Sequence, residues 1–208
     1  MKKISTLVMG LLLLSGLAAC SILPPVEPVT YYRLPATSLT LPAKLHSSPS
    51  LPMSLRINQP NADGLLAGAR IVVLPDDNQL SVYQGVRWEA PAPILWRNNL
   101  MDTWAQTGKI QYLSSDTEAL QVDLELGGTL RAFHTEYHAG QPKVHIQFDA
   151  QLIDPRSRRI LASQRFSSQQ VPASADAAAV VAAFGEAQQQ LSQQLLTWLL
   201  SVKTTRDR

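Results

Sequence analysis

The strongest constraint on the fold is an alternation of apolar and polar residues in the second half of the chain. Apolar side chains occupy every second position from Leu120 to Leu126 and again from Val144 to Leu152. Successive side chains of a β-strand point to opposite faces of a sheet, so this period of two indicates strands with one buried face. Turn-forming residues close the runs at 138–142 and 154–157. The stretch 120–171 therefore predicts an antiparallel three-stranded meander.

Two segments space their apolar side chains three and four residues apart, as amphipathic helices do. The first runs from Pro91 to Thr107 and stops at Gly108. The second is predicted to begin at an N-cap on Ser174 and to end near Val202. Further short strands are predicted at 30–34, 55–57, 70–74, 80–83, 86–88 and 110–113. Because strands do not alternate strictly with helices, the pattern predicts an α+β fold: a mixed, largely antiparallel β-sheet with two main α-helices packed on it, in a single domain.

The amino terminus has the parts of an export signal. Lys2 and Lys3 precede a short apolar run, which closes on Leu17-Ala18-Ala19-Cys20. These closing residues resemble the bacterial lipobox, in which the chain is cut before the cysteine and the cysteine is acylated, with palmitate among its chains. Cys20 is the only cysteine of the sequence. The sequence therefore predicts a bacterial lipoprotein that is lipidated on Cys20.

Charge balance and motif content exclude several classes of function. Removal of Lys2 and Lys3 with the signal leaves 16 basic side chains against 16 acidic ones, so nucleic acid is not an expected partner. Once Cys20 is lipidated, no thiol remains for a disulfide or a zinc–thiolate site. The sequence contains no phosphate-binding loop, dinucleotide fingerprint or nucleophile elbow. We therefore predict no cofactor, no catalytic residue and no enzymatic activity.

The predicted organisation has four parts. They are a signal peptide (1–19), a lipidated cysteine with a Pro-rich tether (20–29), a single periplasmic domain (30–203) and a polar tail (204–208). Prolines favour an extended tether of roughly 3 Å per residue. Ser21 stands where an Asp would retain the protein at the inner membrane under the enterobacterial sorting rule, so we expect the outer membrane, with the inner membrane as the alternative. The Pro- and Ser-rich stretch 36–53 predicts an irregular loop without an assigned role.

The order of these features resembles a known family, the PqiC-like ABC-type transport auxiliary lipoproteins. The matching residues span nearly the whole mature chain: Cys20, Tyr31-Tyr32-Arg33-Leu34, Arg70 to Leu74, Leu80, Tyr83, Val86-Arg87-Trp88, the Asp154-Pro155 turn and Trp198-Leu199. The resemblance implies a periplasmic domain anchored to the outer membrane. It also implies work beside an inner-membrane ABC permease and ATPase and a periplasmic MCE-domain protein that carries lipid-like molecules. Homo-oligomerisation is left open.

Four histidines raise the question of a metal site. His134, Glu136 and His138 share one face of their strand, and His145 lies nearby on the next strand. Their spacing matches neither of the two helical zinc-protease patterns, and no cysteine ligand is present. We therefore expect a solvated polar face and no metal.

Two surfaces are candidates for binding. The side of the second helix opposite its apolar stripe carries small, amide and leucine side chains, which suits contact with another chain: Ala182, Gln189, Gln193, Leu196 and Leu200. The competing interpretation is that this helix is sandwiched inside its own domain. Trp88, Trp96 and Trp104 cluster around the first helix and fit either a packed core or an apolar lipid groove. A lipid carrier and an envelope-assembly scaffold or activator are therefore the alternative functions.

We predict that Cys20→Ala abolishes acylation and leaves the precursor uncleaved, because the lipoprotein signal peptidase acts at the lipidated cysteine. Metabolic labelling with a fatty acid and the gel mobility of the precursor measure both effects. Normal maturation and membrane fractionation of the variant would contradict the prediction.

Overall fold

The computed structural model describes residues 28–36, 38–41, 50–76 and 78–202. The signal peptide, Cys20, Ser21, most of the tether and the polar tail lie outside the described residues. The described elements, in chain order, are β1 (Thr30–Tyr32), β2 (Leu51–Ile57), a 3-10 turn (Gly64–Ala67), β3 (Arg70–Asp76), β4 (Gln79–Trp88), α1 (Ala92–Thr107), β5 (Ile110–Ser115), a 3-10 turn (Asp116–Glu118), β6 (Leu124–His138), β7 (Gln141–Asp154), β8 (Arg159–Gln170) and α2 (Ala177–Ser201).

Strand β6 is the centre of one mixed sheet. On one side it pairs along its length with β7, which pairs in turn with β8, and both pairings are antiparallel. On its other side the first part of β6 pairs in parallel with β2, and the later part pairs in parallel with β3. Strand β5 extends the sheet beyond β2, while β4 and then β1 extend it beyond β3. The predicted α+β fold and the meander are confirmed.

Strand β7 shows why the meander forms where the alternation predicts it. The side chains of Val144, Ile146, Phe148, Ala150 and Leu152 are all buried, and the residues between them are not. The buried face therefore runs without interruption along the strand. Burial of a large apolar side chain contributes about 1.5–3 kcal/mol to the stability of the fold. The alternation therefore determines which face of the sheet the helices cover.

Strand β6 begins later than the alternation predicts. Leu120 is 53% exposed, and the strand starts only at Leu124. Just before it, the Asp123 carboxylate accepts hydrogen bonds from the backbone N–H of Ser54 at 3.0 Å and from its hydroxyl at 2.9 Å. The N–H of Asp123 also donates to the carbonyl oxygen of Ser54 at 3.1 Å, and strand β6 begins at the next residue.

Helix α1 matches its prediction at both ends. Pro91 occupies the N-cap, where a missing N–H costs nothing, and Gly108 ends the helix in the left-handed conformation with φ of 62°. Its buried side packs on the sheet through Trp96, whose ring centroid lies 4.5 Å from that of Phe148 on β7. The apolar side of α1 thus packs against the meander.

Helix α2 is capped by a different residue from the one predicted. Asp176, not Ser174, is the N-cap, and its carboxylate accepts a hydrogen bond from the N–H of Ala179 at 2.9 Å. Ser174 donates its hydroxyl to Asp176 instead. Both residue types suit the position, but a carboxylate also interacts favourably with the positive end of the helix dipole. The apolar stripe of the helix is buried as predicted, with Phe184 4.8 Å from Phe133 between ring centroids.

We predict that Gly128→Ala destabilises the domain by about 3–5 kcal/mol, the range of severe core defects. Gly128 has φ of +145°, and a Cβ there would overlap the backbone carbonyl oxygen of Asp149 on β7. Gly140→Ala is the matched control, because Gly140 also has positive φ, at +77°, but nothing lies within 4 Å of its Cβ position. The control should lose only about 1–2 kcal/mol.

Denaturant unfolding measured by circular dichroism separates the two variants. Equal losses of stability would show that the close approach of β7 to Gly128 does not matter.

Candidate functional site

Strand β8 leaves a long backbone edge unpaired. Within the described ranges it pairs only with β7, and it is twelve residues long, whereas β1 and β5 at the other margins have three and six residues. An exposed edge presents free N–H and C=O groups on which another chain can form a further strand. The β8 edge is therefore the most extensive site for such pairing in this part of the protein.

A groove of about 760 Å³ lies between β8 and α2. Phe166 on β8 and the half-buried Trp198 on α2 contribute its aromatic side chains, and their ring centroids are 5.5 Å apart in a T-shaped arrangement. The other lining side chains carry amides or hydroxyls, apart from Arg165: Gln164, Ser167, Gln190, Gln193, Gln194, Thr197 and Ser201. Apolar rings with uncharged polar neighbours are typical of the core of a protein contact.

Arg165, the charged residue of the groove, is already paired. Its Nε lies 2.5 Å from Oδ1 of Asp149, and its Nη2 lies 2.9 Å from Oδ2. Arg131 on β6 contacts the same carboxylate at 3.0 Å. Hydrogen bonds from Arg165 lower the pKa of Asp149 to about 2, burial opposes this, and Arg131 lowers it further. The three side chains link β6, β7 and β8, so a ligand in the groove meets little free charge.

The predicted partner face of α2 is only partly exposed. Ala182 is exposed, Leu200 is half-buried, and Gln193 lines the groove. Gln189 donates its amide to the carbonyl oxygen of Ser38 at 2.6 Å. Leu196 is 0% exposed, so its assignment to an outward face is wrong.

The chain's own segment 34–41, where it is described, lies against another part of α2. Leu34 and Leu41 are buried in the core, and Asn99 of α1 donates its amide to the carbonyl oxygen of Pro35 at 3.1 Å. Pro35 also packs so closely on Gly185 of α2 that a Cβ there would lie 2.8 Å from the proline ring. This segment covers part of the helix surface, as the competing interpretation held. The predicted loop is also shorter than expected, because β2 already begins at Leu51.

The tryptophans near α1 belong to the core. Trp88, Trp96 and Trp104 are all 0% exposed. Trp88 packs edge-on against Phe184 with centroids 5.2 Å apart, and Trp104 donates its indole N–H to the hydroxyl of Ser192 at 3.0 Å. These rings fill the space between helices and sheet, so they do not line a lipid groove.

The histidines of β6 and β7 converge on the face of the sheet away from the helices. Strand register places His134 opposite His145, with Glu136 two residues along the same strand. The expected convergence is present, but the expectation of a solvated face fails at His134, which is buried.

Comparison with known proteins identifies the fold. The chain is similar to the crystal structure of protein XCC0632 from Xanthomonas campestris, with 28% identity and a TM-score of 0.74 over 82% of this chain and 95% of that one. A second crystal structure, of an uncharacterized protein, shares the fold at 19% identity and a TM-score of 0.62, covering 83% of this chain and 99% of that one. A search of the curated proteins gave no match.

The family model of the ABC-type transport auxiliary lipoprotein component matches residues 32–195 of the sequence. The chain therefore belongs to that family. The family is associated with an ABC-type transport system and hence with the membranes of the cell envelope. No helix in the described ranges is long and apolar enough to cross a membrane.

We predict that Leu196→Ala lowers the free energy of unfolding by about 2–5 kcal/mol, since it removes a buried side chain from the core. Gln193→Ala, three residues earlier on α2, is the control and should change stability by less than about 0.5 kcal/mol. Urea denaturation of both variants tests the assignment. If Leu196→Ala lowers the free energy of unfolding no more than Gln193→Ala does, the assignment of Leu196 to the core is wrong.

Proposed function

We propose that this protein is an outer-membrane-anchored periplasmic lipoprotein that serves as the auxiliary component of an MCE/ABC-type system for lipid-like hydrophobic molecules. It acts by docking to partner proteins across the envelope and performs no catalysis itself. The observation that carries the proposal is the unpaired edge of β8 beside a groove whose one charged lining residue, Arg165, is paired with Asp149. Family membership supports the link to ABC-type transport.

The occupant we propose for the groove is an extended segment of the periplasmic MCE-domain partner. Such a segment would pair its backbone with β8 and place alternate side chains toward Phe166 and Trp198. Amide and hydroxyl groups in the walls cost less to desolvate than charges, and they supply both donors and acceptors. The inner-membrane permease and ATPase would supply the energy, since this chain has no nucleotide-binding motif.

The anchor we propose is the lipid on Cys20, with Ser21 permitting release to the outer membrane. Multiple acyl chains make such attachment effectively permanent, since each buried methylene contributes about 0.8 kcal/mol. The Pro-rich residues that follow Cys20 then separate the domain from the bilayer.

We predict that a photoreactive amino acid at Gln164 or Gln194, on the two walls of the groove, forms an adduct with the MCE-domain protein in living cells. The same probe at Gln121, which is exposed before β6 and away from the groove, should give none. Mass spectrometry identifies the captured protein. Equal adduct formation from Gln121, or adducts from the groove that contain only other proteins, would contradict the proposal.

A charge introduced into the groove tests whether the partner binds there. Thr197→Arg should weaken partner binding at least about tenfold, because an unpaired charge buried in a contact costs a few kcal/mol. Gln121→Arg is the matched control. Unchanged adduct yield from Gln164 in the Thr197→Arg background would show that the partner binds elsewhere.

A further inference from the structure

Three potential metal ligands meet on the face of the sheet that the helices do not cover. Nε2 of His134 lies 3.0 Å from Oε1 of Glu136, and Nδ1 of His145 lies 2.7 Å from the same oxygen. The ligand atoms of these three residues all lie within 4.8 Å of one another. Two imidazoles from neighbouring strands are thus directed at one carboxylate oxygen.

The cluster is only partly exposed to water, unlike an ordinary polar surface. His134 is 8% exposed, and the side chains of Glu136 and His145 are 19% and 15% exposed. Val72, which is aligned with His134 on β3, is buried as well. Burying polar groups costs free energy, because they lose their hydrogen bonds to water. We therefore expect polar side chains that converge away from water to have a structural or a binding role.

Two of the three distances between ligand atoms are close to those of a tetrahedral site. Metal bonds of about 2.0–2.1 Å place neighbouring ligand atoms roughly 3.3 Å apart. The observed contacts of 3.0 and 2.7 Å to Oε1 of Glu136 need to lengthen by only a few tenths of an ångström. The distance between the two imidazole nitrogens is bounded at 4.8 Å, so the histidine side chains would also have to turn toward each other for all three atoms to bind one ion.

Neighbouring residues orient two of the ligands. Nε2 of His145 lies 3.0 Å from the hydroxyl oxygen of Ser167 on β8, which fixes the ring with Nδ1 toward the cluster. Nε2 of His138 contacts Oε2 of Glu136 at 3.2 Å, leaving Oε1 for the two imidazoles. Metal-binding histidines and carboxylates are commonly held by such outer contacts.

We propose that His134, Glu136 and His145 form a binding site for a divalent transition metal ion, with Zn²⁺ as the principal candidate. Imidazole nitrogen favours zinc, copper and nickel over magnesium and calcium, which prefer oxygen ligands. The fourth position is open to water. A bound ion would join the first two strands of the meander, β6 and β7, on the face opposite the helices. This site is separate from transport itself and does not depend on the proposed function.

The test is calorimetric titration of the full-length protein, purified in detergent and stripped with a chelator, with ZnCl₂ and separately with MgCl₂. We expect one zinc ion per chain with a Kd of about 10 µM or tighter, no magnesium binding, and a raised Tm with zinc. Loss of an outer contact already lowers metal affinity about 10–100-fold, so Glu136→Gln and His145→Ala should each lower it by about 100-fold or more. Ser167→Ala should lower it about tenfold.

A control and a conservative variant make the result specific. Gln169→Ala replaces the β8 residue aligned with His145 and should leave zinc affinity unchanged. Glu136→Gln keeps the shape of the side chain, so it decides the question even where a histidine variant fails to fold. Wild-type protein that binds no zinc up to about 100 µM would overturn the proposal. So would zinc binding that persists unchanged in Glu136→Gln.

Discussion

The structure depends on the pairing of β6 with three other strands. Its whole length is aligned antiparallel with β7, and its other side is divided between β2 and β3 in parallel. This register assigns Phe133 to the helix-covered face and His134 to the opposite one. Since side chains alternate, a slip of one residue would place the histidine under the helices and the phenylalanine in water. The core and the histidine cluster therefore arise from the same alignment.

Local patterns were sufficient to predict the elements that this alignment uses. The alternation of β7, the Pro91 start and Gly108 stop of α1, and the apolar stripe of α2 all depend on residues within one element. The parallel pairings of β6 could not be predicted, because a period of two is the same for parallel and antiparallel neighbours. A long-range ion pair accompanies one of them: Arg56 of β2 lies 2.7 Å from Glu125 of β6. Nothing in the local sequence indicates that these two residues meet.

The predictions for the candidate binding surfaces also separate into those that follow from local patterns and those that depend on packing between elements. Gln193 was predicted to face a partner and lines the groove, because helical periodicity fixes which side of α2 it occupies. The burial of Leu196 depends on packing between elements, and the cover of Gly185 depends on Pro35, which is 150 residues away in sequence. Whether β8 is an edge strand also depends on all other pairings. Convergence of the histidines followed from their own strands, but the burial of His134 depends on the neighbouring β3 as well.

The order of the strands places the two margins of the sheet far apart. β1, which follows the Pro-rich tether, and β8, which borders the groove, lie at opposite ends of the path β1-β4-β3-β6-β7-β8. Five spacings between strands of about 4.8 Å put them roughly 24 Å apart along the sheet. Under the proposed function, a lipid on Cys20 would restrain the chain on the β1 side, while a partner would pair with the β8 edge. The strand order would then allow membrane attachment and partner binding at the same time.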